Sequence, residues 1–302
     1  MIREFEYKGK WWLPSNSRRR IAGTLRFTAS GGVYLDLMGS LTATLEMGFP
    51  QETATILGIS SEGQEITLSK CFQTNATLGI SGFPTSSFYA NEAFLGAHFN
   101  KIENIKFESW AVNYSYLEEW VNTPAFDVRS SKNKMTIKYS RPQPIEAIVK
   151  DGWKISIVAK STLDYRSNVQ IEAGIKQRMY IYIQSPSERP FAEFCDIAYQ
   201  IQNVLSLAVG QPVYPLTIEG TRGFHEKAKK AYSYRPPVEI FYRAKGISEA
   251  PDKLHIPRTF FTFNDISSKR FDYFLKNWFK KADLLKPVND LYFGTLYNPK
   301  CT

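Results

Sequence analysis

The sequence predicts a mostly β protein, an antiparallel β-sandwich followed by a smaller C-terminal α+β portion with two amphipathic helices. From residue 1 to about 185, apolar and polar residues alternate in short runs separated by turn residues, which is typical of strands. Aromatic residues make up 15% of the chain, and such rings pack well on pleated, half-buried surfaces. Beyond residue 185 the apolar spacing becomes that of helices. We therefore predict a β-sandwich domain over 1–185 and an α+β portion over 186–302 that packs on it.

The strands are predicted in chain order from this alternation. In "GTLRFTASGGVYLDL" the alternation stops at Gly31 and Gly32 and then resumes, which indicates a hairpin. Further strands are predicted in "QEITLSK", "NKMTIKYS", "DGWKISIVAKS" and "QRMYIYIQS". In "SYLEEWVN", by contrast, Leu117, Trp120 and Val121 have helical spacing, so we expect a short helix there. Many short strands separated by turns are typical of a sandwich or a barrel.

Two longer helices are predicted after residue 185. In "SPSERPFAEFCDIAYQIQNVLSLAVGQP" an apolar stripe begins at Phe191, with Ser187 as the expected cap, and Gly210 ends the helix. In "SSKRFDYFLKNWFKK" apolar residues recur from Phe271 to Phe279 at i, i+3, i+4, i+7 and i+8, behind a capping serine. Both stripes indicate helices that pack one face against the protein.

The composition favours a soluble cytoplasmic protein. Its net charge of +9 allows nucleic acid or acidic partners, although the basic residues are spread along the chain. Cys71, Cys195 and Cys301 show no C-x-x-C spacing, so neither a disulfide framework nor a zinc ribbon is expected. The start "MIREFEYKGK" lacks the apolar core of a signal peptide, and no run of about 18 apolar residues could span a membrane.

No motif in the sequence indicates catalysis, a metal site or a cofactor. His98, His225 and His255 lack a second ligand at the spacing of a helical metal site. The chain contains neither a G-x-S-x-G nucleophile motif nor the glycine-rich loops that bind phosphates. We therefore expect a protein without catalytic residues, metal or cofactor, and an enzyme is the least favoured alternative.

Two stretches are candidates for binding. Trp11 and Trp12 are adjacent in a predicted strand and must point to opposite faces, so either both faces are covered or one tryptophan is exposed. Cations and aromatic rings together suit contacts with phosphates and bases, whereas the alternative is a solvated surface loop. The candidate binding residues are Trp11, Trp12, Arg18, Arg19, Arg20, Lys227, Lys229, Lys230, Tyr232, Tyr234 and Arg235.

Four segments carry a resemblance to a known family. "GKWWLP", "IAGTLRFTASGGVYLDLMGSL", "TILGISSEGQEITLSKCF" and "FESWAVNYSYLEEWV" together resemble the N-terminal domain of the ApeA family of bacterial anti-phage abortive-infection proteins, most strongly over 5–125. The resemblance implies a C-terminal HEPN domain, an all-helical RNase with the signature R-x(4–6)-H. None of the three histidines has an arginine at that distance upstream, so this chain is expected to lack that effector domain.

The function that follows from the resemblance is a non-catalytic sensor or regulatory module of an anti-phage protein. We expect it to recognise a phage-derived protein or nucleic acid and to restrain the HEPN RNase, in cis or in trans. The exposed tryptophan of the pair and the two basic stretches are the expected contacts, and the segment after Phe279 is the expected hinge. The alternatives are an RNA-binding module that delivers substrate to the nuclease, and a carbohydrate- or peptide-binding β-sandwich.

Overall fold

Strands dominate the computed structural model, which describes residues 3–28, 32–42, 52–77, 82–164, 174–223, 236–242, 254, 259–282 and 284–297. Strands account for 49% and helices for 25% of these residues, which confirms a mostly β chain. In chain order the elements are β1 (Phe5–Trp12), β2 (Ile21–Thr28), β3 (Gly32–Leu37), β4 (Glu52–Ser60), β5 (Glu65–Thr77), β6 (Thr85–Leu95), β7 (Lys106–Tyr114), α1 (Leu117–Val121), β8 (Phe126–Ser131), β9 (Lys134–Tyr139), β10 (Ile145–Ile148), β11 (Lys154–Asp164), β12 (Gly174–Pro190), α2 (Phe191–Val209), β13 (Pro215–Thr221), β14 (Val238–Tyr242), α3 (Phe263–Ile266), α4 (Ser268–Lys281) and α5 (Lys286–Tyr297).

The chain forms two compact units, each assembled from three segments. The first unit consists of Met1–Ser109, Ser187–Phe194 and Leu216–Ala250. The second consists of Trp110–Pro186, Cys195–Pro215 and Pro251–Thr302. The predicted domain boundary at 185 stays a prediction.

The first unit is built on a closed, barrel-like arrangement of six strands, called the barrel below. The strands neighbour one another in the order β6-β3-β2-β1-β4-β5, and β5 pairs back with β6. Every one of these pairings is antiparallel. The predicted sandwich is therefore not confirmed, because these strands close into one ring instead of forming two facing sheets.

The barrel encloses a core of aliphatic and aromatic side chains. Trp11 is fully buried there, and it lies opposite Gly58 of the neighbouring strand β4. A Cβ added at Gly58 would overlap the Trp11 indole, so glycine is required at this close approach. The other core residues are Leu25, Phe27, Val33, Leu35, Leu37, Leu41, Ile56, Ile66, Leu68, Cys71, Phe88, Ala90, Ala93, Leu95 and Phe241.

The second unit contains a sheet and a separate hairpin. Its sheet has the strand order β10-β11-β12-β7, and β11 pairs over its whole length with the first part of β12, from Lys154↔Gln184 to Asp164↔Gly174. Strands β8 and β9 pair only with each other among the described residues. Helix α4 lies along β10, where Asp272 Oδ1 accepts a hydrogen bond from the Ile148 N–H at 3.0 Å.

The predicted local elements are mostly confirmed. The hairpin of β2 and β3 has the register Thr28↔Gly32, the four other predicted strands are present, and α1 covers the short helix predicted in "SYLEEWVN". The helices α2 and α4 begin and end close to the predicted residues. Among the described residues, no helix combines the length and apolar character needed to cross a membrane.

One of the two predicted helix caps is wrong, and the other is confirmed in position but not in its hydrogen bond. Ser187 lies within β12, which continues to Pro190, and α2 begins directly at Phe191. Ser267 occupies the position before α4, but its side chain forms no capping hydrogen bond. The capping box of this region instead belongs to α3, where Asp265 Oδ2 accepts hydrogen bonds from the Thr262 N–H and hydroxyl.

Candidate functional site

The two adjacent tryptophans lie on opposite faces of β1, as predicted, and both are buried. Trp11 points into the barrel, and Trp12 points out of it but is only 5% exposed. Arg20 lies over the Trp12 ring with its guanidinium carbon 4.5 Å from the ring centroid. The edge of the His98 ring contacts the same indole, with 5.4 Å between centroids. The expectation of an exposed tryptophan is therefore wrong, and the alternative of a strand with two covered faces is confirmed.

The three arginines after the tryptophans have different environments. Arg20 covers Trp12 and also donates from Nε to the Ser17 carbonyl oxygen at 3.2 Å. Arg19 is half-buried and donates from Nε to the Ser40 carbonyl oxygen at 2.8 Å. Arg18 is exposed. Two of the three side chains thus stabilise the connection between β1 and β2, and a binding role for any of them stays a prediction.

His98 contacts the outer side of Trp12 and also bonds to the neighbouring strand β4. Its Nε2 lies 2.8 Å from the Gly58 carbonyl oxygen, and because a carbonyl only accepts, Nε2 carries the proton. Its Nδ1 lies 3.6 Å from a carboxylate oxygen of Glu65. The histidine is therefore held by its Nε2 hydrogen bond and by the contact of its edge with Trp12.

The second predicted binding stretch lies outside the described residues. This applies to Lys227, Lys229, Lys230, Tyr232, Tyr234 and Arg235, and likewise to His225 and His255. Their assignment as contact residues stays a prediction.

A polar cleft of about 390 Å³ opens beside His98 in the first unit. Arg222 lies over the Phe99 ring at 5.7 Å, and Glu188 Oε1 accepts a hydrogen bond from the Gly223 N–H at 2.8 Å. These contacts fix two of its polar side chains. The cleft is lined by His98, Phe99, Asn100, Asn104, Lys106, Glu188 and Arg222, a set of amide, cationic and carboxylate groups that suits a small polar ligand. Among the described residues, no three His, Cys, Asp or Glu side chains are grouped so that they could hold a metal ion.

A groove of about 500 Å³ lies in the second unit along α4 and the turn that follows it. Next to this groove, apolar side chains on and before α5 are exposed to solvent: Leu284 by 78%, Val288 by 65% and Leu291 by 74%. Their spacing of four and three residues places them on one face. The opposite side of the helix is anchored, because the Tyr297 hydroxyl donates to the Val213 carbonyl oxygen at 2.7 Å. The groove is lined by Asp265, Ile266, Arg270, Tyr273, Phe274, Asn277, Trp278, Lys281 and Leu285.

The β8–β9 hairpin is a candidate surface that sequence reasoning missed. It has one apolar face and one cationic face, and nearly all of its side chains are exposed. The alternation in "FDVRSSKNKMTIKYS" contains this information, because apolar residues alternate with charged residues in both strands. The sequence analysis predicts only β9 of these two strands. Alternation does not show whether a face is exposed, because exposure depends on contacts with distant segments.

The buried ionisable groups are structural. Burial in the barrel core raises the pKa of the Cys71 thiol, so it remains protonated and unreactive. Burial also raises the pKa of the Glu118 carboxyl group, which accepts hydrogen bonds from the Met179 N–H at 3.0 Å and from Asn113 Nδ2 at 3.3 Å. These bonds tie α1 to β12 and β7 within the second unit.

Comparison with models of known protein families gives a match. The family model of ApeA N-terminal domain 1 matches residues 6–278, from β1 to near the end of α4. No curated protein and no solved structure matched the chain. The match confirms the resemblance seen in the sequence, and the family indicates a module of an anti-phage defence protein. The chain belongs to the ApeA N-terminal domain 1 family.

Proposed function

We propose that this chain is the sensor and regulatory module of a cytoplasmic anti-phage abortive-infection protein, without catalysis of its own. It recognises a phage-derived protein or nucleic acid and holds a HEPN RNase inactive until that ligand binds. The observation that carries this proposal is the family match, which extends over residues 6–278.

The apolar face on and before α5 is the proposed contact with the HEPN domain. Leu284, Val288 and Leu291 expose most of their side chains on one side of this segment, while Tyr297 anchors the other side. An all-helical partner can cover such a stripe by ordinary helix-on-helix packing. Burial of these aliphatic side chains removes apolar surface from water and so favours association. This assignment agrees with the predicted hinge after Phe279.

The polar cleft of the first unit is the proposed ligand site. It combines cationic side chains, Lys106 and Arg222, with the amides of Asn100 and Asn104. Such a set can bind an acidic or amide-rich group through directed hydrogen bonds.

A second candidate function, delivery of RNA to the nuclease, is favoured by the exposed cations Arg129, Lys134 and Lys138 on one face of the β8–β9 hairpin. The third reading, a carbohydrate- or peptide-binding module, relied on an exposed aromatic platform. Trp11 and Trp12 are both buried, so this pair does not supply such a platform.

The test is to titrate the purified chain into a separately expressed HEPN domain from a full-length member of the family. Binding is followed by calorimetry and RNA cleavage by gel electrophoresis. We expect association and a fall in the cleavage rate. The absence of association, or association without any effect on cleavage, would contradict the proposal.

A pair of matched variants locates the contact. Leu291→Glu places a charge in the proposed interface and is expected to weaken association at least tenfold, because a carboxylate would be buried there. Leu163→Glu changes a leucine with similar exposure, 68% against 74% for Leu291, and is expected to bind like the unmodified chain. Equal weakening by both variants would contradict the assignment of α5 as the contact.

A further inference from the structure

We propose that the cationic face of the β8–β9 hairpin binds the phosphate backbone of RNA. The inference rests on the proposed function for its choice of RNA among polyanions, because an associated RNase would bring RNA to this module. The site itself follows from the register, exposure and charge of the hairpin, and none of the binding residues predicted from the sequence belongs to it.

The register of the hairpin separates its side chains into two faces. Asp127↔Lys138, Arg129↔Thr136 and Ser131↔Lys134 are cross-strand pairs on one side, which we call the cationic face. Phe126, Val128, Met135, Ile137 and Tyr139 alternate with them and form the apolar face.

The cationic face carries a clear excess of positive charge. Arg129, Lys134 and Lys138 lie on it, and Lys132 lies at the turn between the strands. Its single carboxylate, Asp127, already pairs with Arg129 at 2.9 Å. The three lysines form no ion pair with any of the described residues. An anionic partner would therefore meet cations that no carboxylate of the described chain neutralises.

The hairpin presents these cations in a fixed array. Six cross-strand pairs define its register, and the Ser140 N–H extends the ladder by donating to the Ala125 carbonyl oxygen at 2.8 Å. Lys134 and Lys138 are four positions apart in β9, hence about 14 Å apart. Arg129 lies on the other strand, opposite the midpoint between them. The backbone positions of these three cations thus advance along the hairpin in steps of about 7 Å.

The arrangement fits a polyanion better than a lipid surface or a protein groove. An amphipathic element on a membrane buries its apolar face and turns the opposite face toward water, so a lipid surface would not engage the face that carries Arg129, Lys134 and Lys138. A protein that covered Val128 and Ile137 would leave the cationic face in solvent. Phosphate groups use both the charge and the Lys and Arg donors of this face.

The test measures RNA binding by the full chain without any nuclease domain. The probe is a fluorescein-labelled poly(U) RNA of about 20 nucleotides, followed by anisotropy between about 50 and 200 mM salt. In the variant Lys134→Gln/Lys138→Gln the slope of log affinity against log salt should become shallower by about 1.4, since each lost phosphate contact contributes about 0.7. The affinity at low salt should fall roughly tenfold or more.

The control variant Lys269→Gln/Lys280→Gln removes the same charge from exposed positions of α4. It should leave the slope unchanged, and thermal unfolding should show that both variants fold. Equal losses in both variants would mean diffuse attraction to the whole chain and overturn the site. Tighter binding of a DNA oligonucleotide of equal length would overturn the choice of RNA.

A third variant tests a protein partner instead. Val128→Ser/Ile137→Ser changes only the apolar face, and RNA binding should persist in it. If the lysine variant binds RNA normally while the apolar variant loses association with the HEPN domain, the hairpin is a protein-docking element and the inference fails. Because RNA binding is measured on this chain alone, its failure is distinguishable from a failure of restraint in the cleavage assay.

Discussion

The barrel and the β8–β9 hairpin are built from the same alternation of apolar and polar residues. The apolar side chains of the barrel are buried, whereas those of the hairpin are exposed. In β1 of the barrel, Trp11 fills the core and Trp12 is covered from outside by Arg20 and His98. In the hairpin, Phe126 and its apolar neighbours face solvent. The comparison teaches that a strand pattern predicts backbone conformation, whereas the cover on each face decides whether a strand stabilises the fold or serves as a binding surface.

The largest expected effect comes from truncating one aromatic residue in each region. Trp11→Ala should lower the free energy of unfolding by about 4 kcal/mol, because it leaves a cavity in the barrel core. Phe126→Ala should lower it by less than about 1 kcal/mol, since Phe126 is 42% exposed. Urea denaturation of both variants measures the difference. Similar losses would show that the hairpin supports the fold as the barrel core does.

A smaller loss is expected from adding a single methyl group to the barrel. Gly58→Ala forces the Trp11 indole to move and should destabilise the chain by about 2 kcal/mol. Gly82→Ala is the matched control, because a Cβ there meets no atom within 4 Å. Thermal unfolding compares them, and an unchanged midpoint in Gly58→Ala would contradict the close approach of β1 and β4.

The smallest expected effect is on the pH dependence of the free energy of unfolding. It concerns Glu118 in α1, the short helix that precedes the hairpin. Burial raises the pKa of the Glu118 carboxyl group above its ordinary value, so the folded chain favours the protonated form. Its contribution to stability is present below the ordinary pKa and is lost as pH rises through the raised pKa.

Glu118→Gln keeps an oxygen that accepts from the Met179 N–H but does not ionise. Relative to this variant, the unmodified chain should lose stability as pH rises above about 4.5. Denaturation at a series of pH values measures the difference between the two chains. A difference that stays constant with pH would show that the carboxyl group is not desolvated.

The sequence predicted local structure well because local structure depends on neighbouring residues. The hairpin of β2 and β3 and the helices α1, α2 and α4 follow from periodicity alone. The closure of the barrel does not, since it depends on β1 pairing with β4 and β5 pairing with β6. The alternation within a single strand does not indicate which distant segment pairs with it.

The candidate sites were harder to predict than the fold. The sequence placed Trp11 and Trp12 on opposite faces correctly, but the cover over Trp12 comes in part from His98, 86 residues later. The polar cleft likewise gathers Lys106, Glu188 and Arg222 from three separate segments. Only the hairpin could have been found from its local pattern, because all of its cations lie between residues 127 and 138.

The closure of the barrel also bears on self-association. An open sheet edge offers unpaired N–H and C=O groups to a strand of another molecule, which is a common route to aggregation. A ring of six strands removes this hazard for most of the first unit. In the second unit the edge strand β10 is protected at Ile148 by the carboxylate of Asp272. Among the residues that the structure describes, neither edge of the hairpin pairs with a third strand. Like-charge repulsion between its lysines would oppose pairing of one copy with another, so the cations that we assign to RNA also protect against aggregation.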